Sequence, residues 1–156
     1  MEIKLNENPV YSKSILDVLE ANVTSLGLED ITPEDIEKER ENIDNGNPSK
    51  RCPEDVKCYD IYLDNNQLVG SITLTDITEN EIELAIIMYV QNRGYGSEAL
   101  EIFLKDYKHN YDKELSVIVR KGNPKYEFVK SFFYGRGFVF SEELSSGSLL
   151  KFDTSL

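Results

Sequence analysis

The chain holds 156 residues, with 17 basic against 29 acidic side chains, a single histidine and a formal net charge of −12. That balance argues against a nucleic-acid partner, whose phosphates are held by lysine and arginine; an acidic surface either concentrates cationic substrates such as amines or merely aids solubility. The length suits one domain over residues 1–156, burying about two thirds of its unfolded surface without a metal or disulfide staple.

Cys52 and Cys58, with one histidine in the chain, are too few ligands for structural zinc and wrongly spaced for a redox Cys-x-x-Cys, so both are expected as free thiols. The opening Met1-Glu2-Ile3-Lys4-Leu5-Asn6 lacks a basic and then apolar signal segment, and no apolar run approaches the roughly 18 residues of a membrane span. A cytoplasmic protein with no membrane partner is the expectation.

Glu2 to Leu5 reads as a short first strand, and Val10 to Val23 as a helix with Tyr11, Ile15, Val18, Leu19 and Asn22 on one stripe. Thr32-Pro33-Glu34-Asp35 is a strong helix start, with Thr32 as N-cap, Pro33 in the first helical position and Asp35 completing a capping box. This second helix should run to about Asp44. Its apolar content is thin, mainly Ile36 and Ile43, which puts it at the surface or at a mouth that closes over ligand. Asn45 to Asp55, with Gly46, Pro48 and Pro53, must be a loop, and its Lys50 and Arg51 are expected to be solvated or to meet phosphate.

Three strand patterns follow in quick succession, Val56 to Leu63, Leu68 to Thr75 and Glu81 to Met88, joined by turns too short for a crossover helix. They form an antiparallel meander. In the third, Ile82, Leu84, Ile86 and Met88 alternate with Glu81, Glu83, Ala85, Ile87 and Tyr89, and both faces are apolar enough for a central strand. Ala99, Leu100, Phe103, Leu104 and Tyr107 then mark a helix ending near His109, a surface cation at the helix end. The β-branched run Leu115 to Arg120 should pair in parallel with the strand before that helix, giving one βαβ unit. Gly122-Asn123-Pro124 opens a further helix with Phe128, Val129, Phe132 and Phe133 on one face, and Phe138 to Leu144 and Ser148 to Asp153 close the chain as a hairpin.

Between the central strand and its helix stands Gln91-Asn92-Arg93-Gly94-Tyr95-Gly96-Ser97-Glu98-Ala99. Two glycines one residue apart let backbone approach a ligand, and the helix start offers unpaired N–H groups at the positive end of its dipole, a place suited to phosphate. A P-loop is excluded because no Gly-Lys-Ser/Thr follows. The dinucleotide fingerprint fits poorly: Glu114 falls at the start of the next strand, not its end, and the preceding segment is a meander.

Gln91-Asn92-Arg93-Gly94-Tyr95-Gly96 resembles the Gln/Arg-x-x-Gly-x-Gly/Ala signature of the GNAT superfamily of N-acetyltransferases, and Asn123 with Phe132-Phe133-Tyr134-Gly135-Arg136-Gly137-Phe138 resembles its second motif. The resemblance covers nearly the whole chain. It implies an α/β fold with a mixed, mostly antiparallel central sheet of six to seven strands, about four helices and one parallel βαβ step at the coenzyme site. It implies acetyl-coenzyme A as co-substrate and no metal. The pyrophosphate would meet the amides of Gln91, Asn92, Arg93, Gly94, Tyr95, Gly96 and Ser97, while pantetheine would lie in a wedge between splayed parallel strands, beside Met88, Tyr89 and Val90, with Asn123 a further coenzyme contact. Two departures stand out: Met88-Tyr89-Val90 runs almost straight into Gln91, and Phe133 stands where the family tends to place a tyrosine that protonates the leaving thiolate.

Acetyl transfer to an amine needs the amine neutral, yet a primary amine is almost wholly protonated at pH 7. Glu83 is the candidate base, since the family's base commonly projects from this strand and an acid flanked by Ala85, Ile87 and Tyr89 serves better near neutrality; solvent exposure or pairing with a lysine is the structural alternative, and Glu81 is the reserve. Tyr134 is the candidate acid, with Tyr126 or no side chain as alternatives. The acceptor is expected to be a small-molecule or peptide amine, cationic on the strength of the acidic second helix, and a homodimer is allowed for. The rival function is a catalytically inactive acetyl-coenzyme A-binding sensor or interaction module.

Overall fold

The computed structural model of the chain describes residues 2–22, 31–91, 93–110 and 112–154. Along them run β1 (Ile3–Glu7), α1 (Lys13–Asn22), α2 (Pro33–Asp44), β2 (Val56–Leu63), β3 (Leu68–Thr78), β4 (Glu81–Met88), α3 (Tyr95–Asn110), β5 (Glu114–Arg120), α4 (Tyr126–Tyr134), β6 (Phe138–Glu143) and β7 (Gly147–Phe152). The strands are hydrogen-bonded in the order β1-β2-β3-β4-β5-β7-β6, which puts β4 fourth of seven, the central place its two apolar faces call for. β4 and β5 pair in parallel through Glu81↔Glu114, Ile82↔Leu115 and Glu83↔Ser116, whereas β1/β2, β5/β7 and β6/β7 are antiparallel. A mixed, mostly antiparallel sheet with one parallel βαβ step is therefore the architecture.

The chain divides into two compact units, Met1–Thr73 with Ile86–Gly96 and Leu74–Ala85 with Ser97–Leu156. In the first, Ile15, Leu16, Ile36 and Leu68 are buried together, with Tyr11, Val18, Leu19, Ile43, Tyr62 and Tyr89 packed around them. Thr32 caps α2 as expected: its Oγ1 accepts from the Asp35 amide at 3.1 Å while Asp35 Oδ2 accepts from the Thr32 amide at 3.1 Å, and that backbone bond holds the Asp35 carboxyl below its ordinary value. Thin apolar content does not leave α2 loose, because Arg40 reaches Asp17 at 2.9 Å and Glu20 at 2.6 Å on α1. Helix α1 starts three residues later than its stripe suggests. Val10 pairs with Lys50 in a β-bridge, and Ser12 caps the helix by accepting from the Ile15 amide at 3.3 Å. Val23, its expected last residue, lies outside the described residues.

In the second unit, Ala99, Leu100, Phe103, Leu104 and Tyr107 form the buried stripe of α3, each large side chain contributing roughly 1.5–3 kcal/mol by leaving water. Tyr107 keeps its hydroxyl satisfied on the Lys113 carbonyl at 2.8 Å. Phe128, expected on the buried face of α4, is instead 69% exposed. The inward position is Phe133, in edge-to-face contact with Phe132 and Phe138, and a residue five places earlier lies roughly 140° round the helix from it.

The expectation of free thiols fails. Cys52 and Cys58 form a disulfide with their Cα atoms 7.1 Å apart. Spacing rules exclude a redox Cys-x-x-Cys, but not a clasp between a loop and the strand it leads into, and the loop is already drawn in by the Arg51 amide bonding the Pro9 carbonyl at 2.9 Å. Among the described residues no helix is long and apolar enough to cross a membrane.

Candidate active site

The glycine turn follows directly from the end of β4. The amides of Tyr89 and Val90 both donate to the Val69 carbonyl on β3, at 2.8 and 3.2 Å, and α3 begins six residues after Tyr89. Gly94 makes the turn possible: its φ of +77° lies in the left-handed region, and a Cβ there would meet nothing within 4 Å, so the backbone has open space above it. Gly96 is favoured for a different reason, since a Cβ there would lie 3.1 Å from Met88 Cγ, a tight contact that the methionine would have to relieve. The Met88 side chain also covers Gly70 on β3, where a Cβ would come within 2.6 Å of the sulfur. Met88 thus spends its side chain on packing two glycines.

Gln91, Arg93 and Gly94 are exposed, while Val90, Tyr95, Gly96 and Ser97 are half-buried; Asn92 lies outside the described residues. The first-turn N–H groups of a helix have no partner within it and carry the positive end of the dipole. Exposed backbone, open space at Gly94 and that dipole fit the pyrophosphate of a coenzyme.

Tyr89 is committed elsewhere. Its hydroxyl lies 3.1 Å from Ser71 Oγ, which donates to Asp60 Oδ1 at 2.8 Å; since Ser71 has one proton, Tyr89 is the donor to Ser71. Burial pushes the Tyr89 phenol above its ordinary value, which keeps that proton in place. Asp60 also accepts from Arg51 Nη1 at 2.7 Å and from Asn8 Nδ2 at 2.8 Å, and Arg51 Nη2 reaches Ser71 at 3.2 Å. Arg51 is therefore neither solvated nor open to phosphate, contrary to expectation; Lys50, exposed beside Glu54, is the solvated one of the two.

Glu83 sits on β4 in register with Ser116, half-buried, between the exposed Glu81 and Ala85. Its strand face is the more open one. The loop before α4 is shaped by Asn123, whose Oδ1 accepts from the Lys125 amide at 2.8 Å and whose carbonyl accepts from the Tyr126 amide at 3.0 Å. Tyr134 in the last turn of α4 is 42% exposed. Tyr126 is bound by its hydroxyl to the buried Ser148 on β7, which in turn donates to Glu143 at 3.1 Å. Lys121 lies 3.0 Å from Glu143, and its hydrogen bond holds that carboxyl below the ordinary range. With the Ser148 proton on Glu143, the Tyr126 proton is directed to Ser148. Among the described residues no cluster of His, Cys, Asp and Glu could hold a metal ion.

No family model matches the sequence, and no curated protein does either. Solved structures do. The N-acetyltransferase PseH of Campylobacter jejuni, in complex with acetyl coenzyme A, superposes with a TM-score of 0.66 at 14% identity, over 97% of this chain and 99% of that one. Spermidine N-acetyltransferase from Vibrio cholerae, in complex with CoA and spermine, gives 0.63 at 14% identity, over 96% and 92%. The chain has the GNAT acetyltransferase fold.

Within that fold the departure at Phe133 is structural as well as sequential: the ring is buried against Phe132 and Phe138 and offers no proton. The chain of Asn8, Arg51, Asp60, Ser71 and Tyr89 escaped sequence reasoning because its members come from two strands and three separate connecting segments. The one local signal was Asp60 in a strand whose next residue is the fully buried Ile61. Arg136 was missed for a similar reason: between two glycines it reads as helix punctuation, yet its Nη2 donates to Ser97 Oγ, 39 residues earlier.

Proposed function

We propose that the protein is an N-acetyltransferase that moves an acetyl group from acetyl-coenzyme A to a primary amine by direct transfer. The observation that carries this is the exposed turn with left-handed Gly94 at the start of α3, in a chain whose fold is that of N-acetyltransferases. Acetyl-coenzyme A, when bound, supplies the activated thioester. The backbone of Met88 to Val90 and the amides of Gln91, Asn92, Arg93, Gly94, Tyr95, Gly96 and Ser97 hold it, and Asn123 is a further contact. Glu83 draws the proton from the incoming ammonium, with Glu81 next to it in the strand pattern, and Tyr134 returns a proton to the leaving thiolate. Because Tyr126 already donates to Ser148, Tyr134 is the better placed of the two to give its proton away. Positioning two reactants contributes roughly 7–11 kcal/mol of barrier, more than a base alone, so the turn matters more than Glu83.

A cationic acceptor suits α2. Glu34, Asp35, Glu37, Glu39 and Glu41 line this helix, and Glu39 Oε2 is buried without a hydrogen-bond partner among the described residues, a carboxylate oxygen short of a donor such as an ammonium.

The test is a thermal shift with acetyl-coenzyme A, followed by release of coenzyme thiol over a panel of amines. Wild type should be stabilised, and Gly96→Val should lose that shift, because a branched side chain there presses on Met88, whose Cγ lies 3.1 Å from the Cβ position. A Gly96→Val protein that binds as wild type does would sink the assignment of the turn. Glu83→Gln should lower the rate by about 100- to 10,000-fold at neutral pH and recover partly in alkali, where the amine loses its proton unaided; an unchanged pH profile removes Glu83 from the reaction. The second reading, a coenzyme-binding module without catalysis, is favoured by the buried Phe133 and predicts the thermal shift with no thiol release for any amine.

A further inference from the structure

Arg136 lies in the short turn between α4 and β6, and three contacts pin its guanidinium. Nη1 donates to the Phe132 carbonyl at 3.0 Å, one of the acceptors left open at the end of α4. The guanidinium carbon stands 4.4 Å from the centre of the Phe132 ring. Nη2 donates to Ser97 Oγ. Nε is buried and has no hydrogen-bond partner among the described residues; the nearby Glu101 carboxylate is 3.9 Å away, too far for a hydrogen bond, and is itself largely exposed.

Ser97 is the third residue of α3, in the turn that carries the positive end of that helix. Fixing a cation there is unfavourable, since cations are stabilising at the opposite end. Here the cation is held in place by three contacts, and among the described residues the carboxylate paired with it is the loosely placed Glu101. An anion at the same helix end would reverse the sign of the interaction. Ser97 has the complementary chemistry: its oxygen accepts from Arg136, so its own proton is available for donation, and the neighbouring charge strengthens it as a donor.

We propose that Arg136 is a coenzyme-positioning residue, which acts through the Ser97 hydroxyl to hold the pyrophosphate of acetyl-coenzyme A at the first turn of α3. The role rests on the acetyl-coenzyme A reading above. It makes Arg136 a sensor of the phosphate end of the donor with no part in the chemical step.

The experiment compares wild type with Arg136→Met, Arg136→Lys and Ser97→Ala, using acetyl-coenzyme A, acetyl-dephospho-coenzyme A and the phosphate-free donor S-acetylpantetheine. Arg136→Met should raise KM for the first two donors about tenfold or more, the worth of one charge-assisted hydrogen bond, with kcat unchanged. KM for S-acetylpantetheine should not move. Arg136→Lys should recover only part of the loss, because an ammonium lacks the planar fork that serves Phe132 and Ser97 together. Ser97→Ala should mimic Arg136→Met, and the gap between wild type and variant should narrow at high salt. Equal KM values for wild type and Arg136→Met overturn the proposal, as does an equal loss with S-acetylpantetheine, which would mean general damage. A loss that vanishes with the dephospho donor moves the contact to the ribose phosphate and overturns the pyrophosphate assignment. Failure of wild type itself to bind acetyl-coenzyme A is a separate outcome that overturns the underlying reading.

Discussion

Two arginines are sunk into the protein, and they are matched in opposite ways. Arg51, 9% exposed, faces the fully buried Asp60, and every strong group around the pair is used: Asn8 and Ser71 complete the carboxylate, and Tyr89 donates to Ser71. Arg136, 22% exposed, bonds a carbonyl and a hydroxyl, both neutral, and among the described residues its Nε has no hydrogen-bond partner, with the Glu101 carboxylate 3.9 Å away. Burying a charge is costly unless it is paired, so a pair satisfied within the chain is architecture, whereas a pinned charge without close compensation is a group arranged for something that arrives.

The two sites should therefore fail differently. The largest effect belongs to Asp60. Asp60→Asn keeps the shape but leaves Arg51 buried without its counter-charge, and should cost about 3–5 kcal/mol of stability in urea denaturation. Replacing both partners, as Arg51→Met with Asp60→Leu, should cost far less than the sum of the single changes, because no orphan charge remains. A loss under about 1 kcal/mol for Asp60→Asn would be surface-pair behaviour and would erase the distinction between the two sites.

A smaller effect comes from the clasp beside the pair. The Cys52–Cys58 disulfide closes a loop of sequence separation 6 on the segment that begins with Arg51. Chain-entropy arguments give so short a loop about 2 kcal/mol. Denaturation with and without a thiol reductant measures it. A reduced protein whose urea midpoint is unchanged would mean that Arg51, Asp60 and the Pro9 contact hold the loop without the bond.

The same contrast marks where sequence reasoning succeeds. Periodicity was enough for β4, with two apolar faces and a central place, and for α3, whose stripe at Ala99, Leu100, Phe103, Leu104 and Tyr107 is buried throughout. The Thr32 cap and the parallel step from β4 to β5 were legible because their causes are local, in a capping box and in the length of the intervening helix. Gly94 declared itself by residue type, since a left-handed turn before a helix needs it. What could not be read depends on partners far apart in the chain: Asn8 with Asp60 across 52 residues, Arg136 with Ser97 across 39, and the disulfide that spacing rules do not anticipate. Phe128 shows a subtler limit. Helical spacing placed it with Phe132, but the buried face is centred on Phe133, and one residue of rotation decides which aromatic meets solvent.

The smallest effect on stability is expected at Arg136, where two terms oppose each other. Arg136→Met gives up the bonds to Phe132 and Ser97, each worth about 0.5–1.5 kcal/mol at most, since both acceptors can turn to water when the turn loosens. It also removes a cation from the positive end of α3, a relief of about 0.3–1 kcal/mol. The relief offsets only part of that loss, so the ligand-free variant should unfold within about 2 kcal/mol of wild type, less than the loss at Asp60→Asn. Measured again with saturating acetyl-coenzyme A, the variants should separate, because the phosphate turns the unfavourable cation into a favourable one and only wild type gains from it. A ligand-free loss at Arg136 as large as that at Asp60 would make both arginines architectural, and the difference between the two sites would then be one of degree.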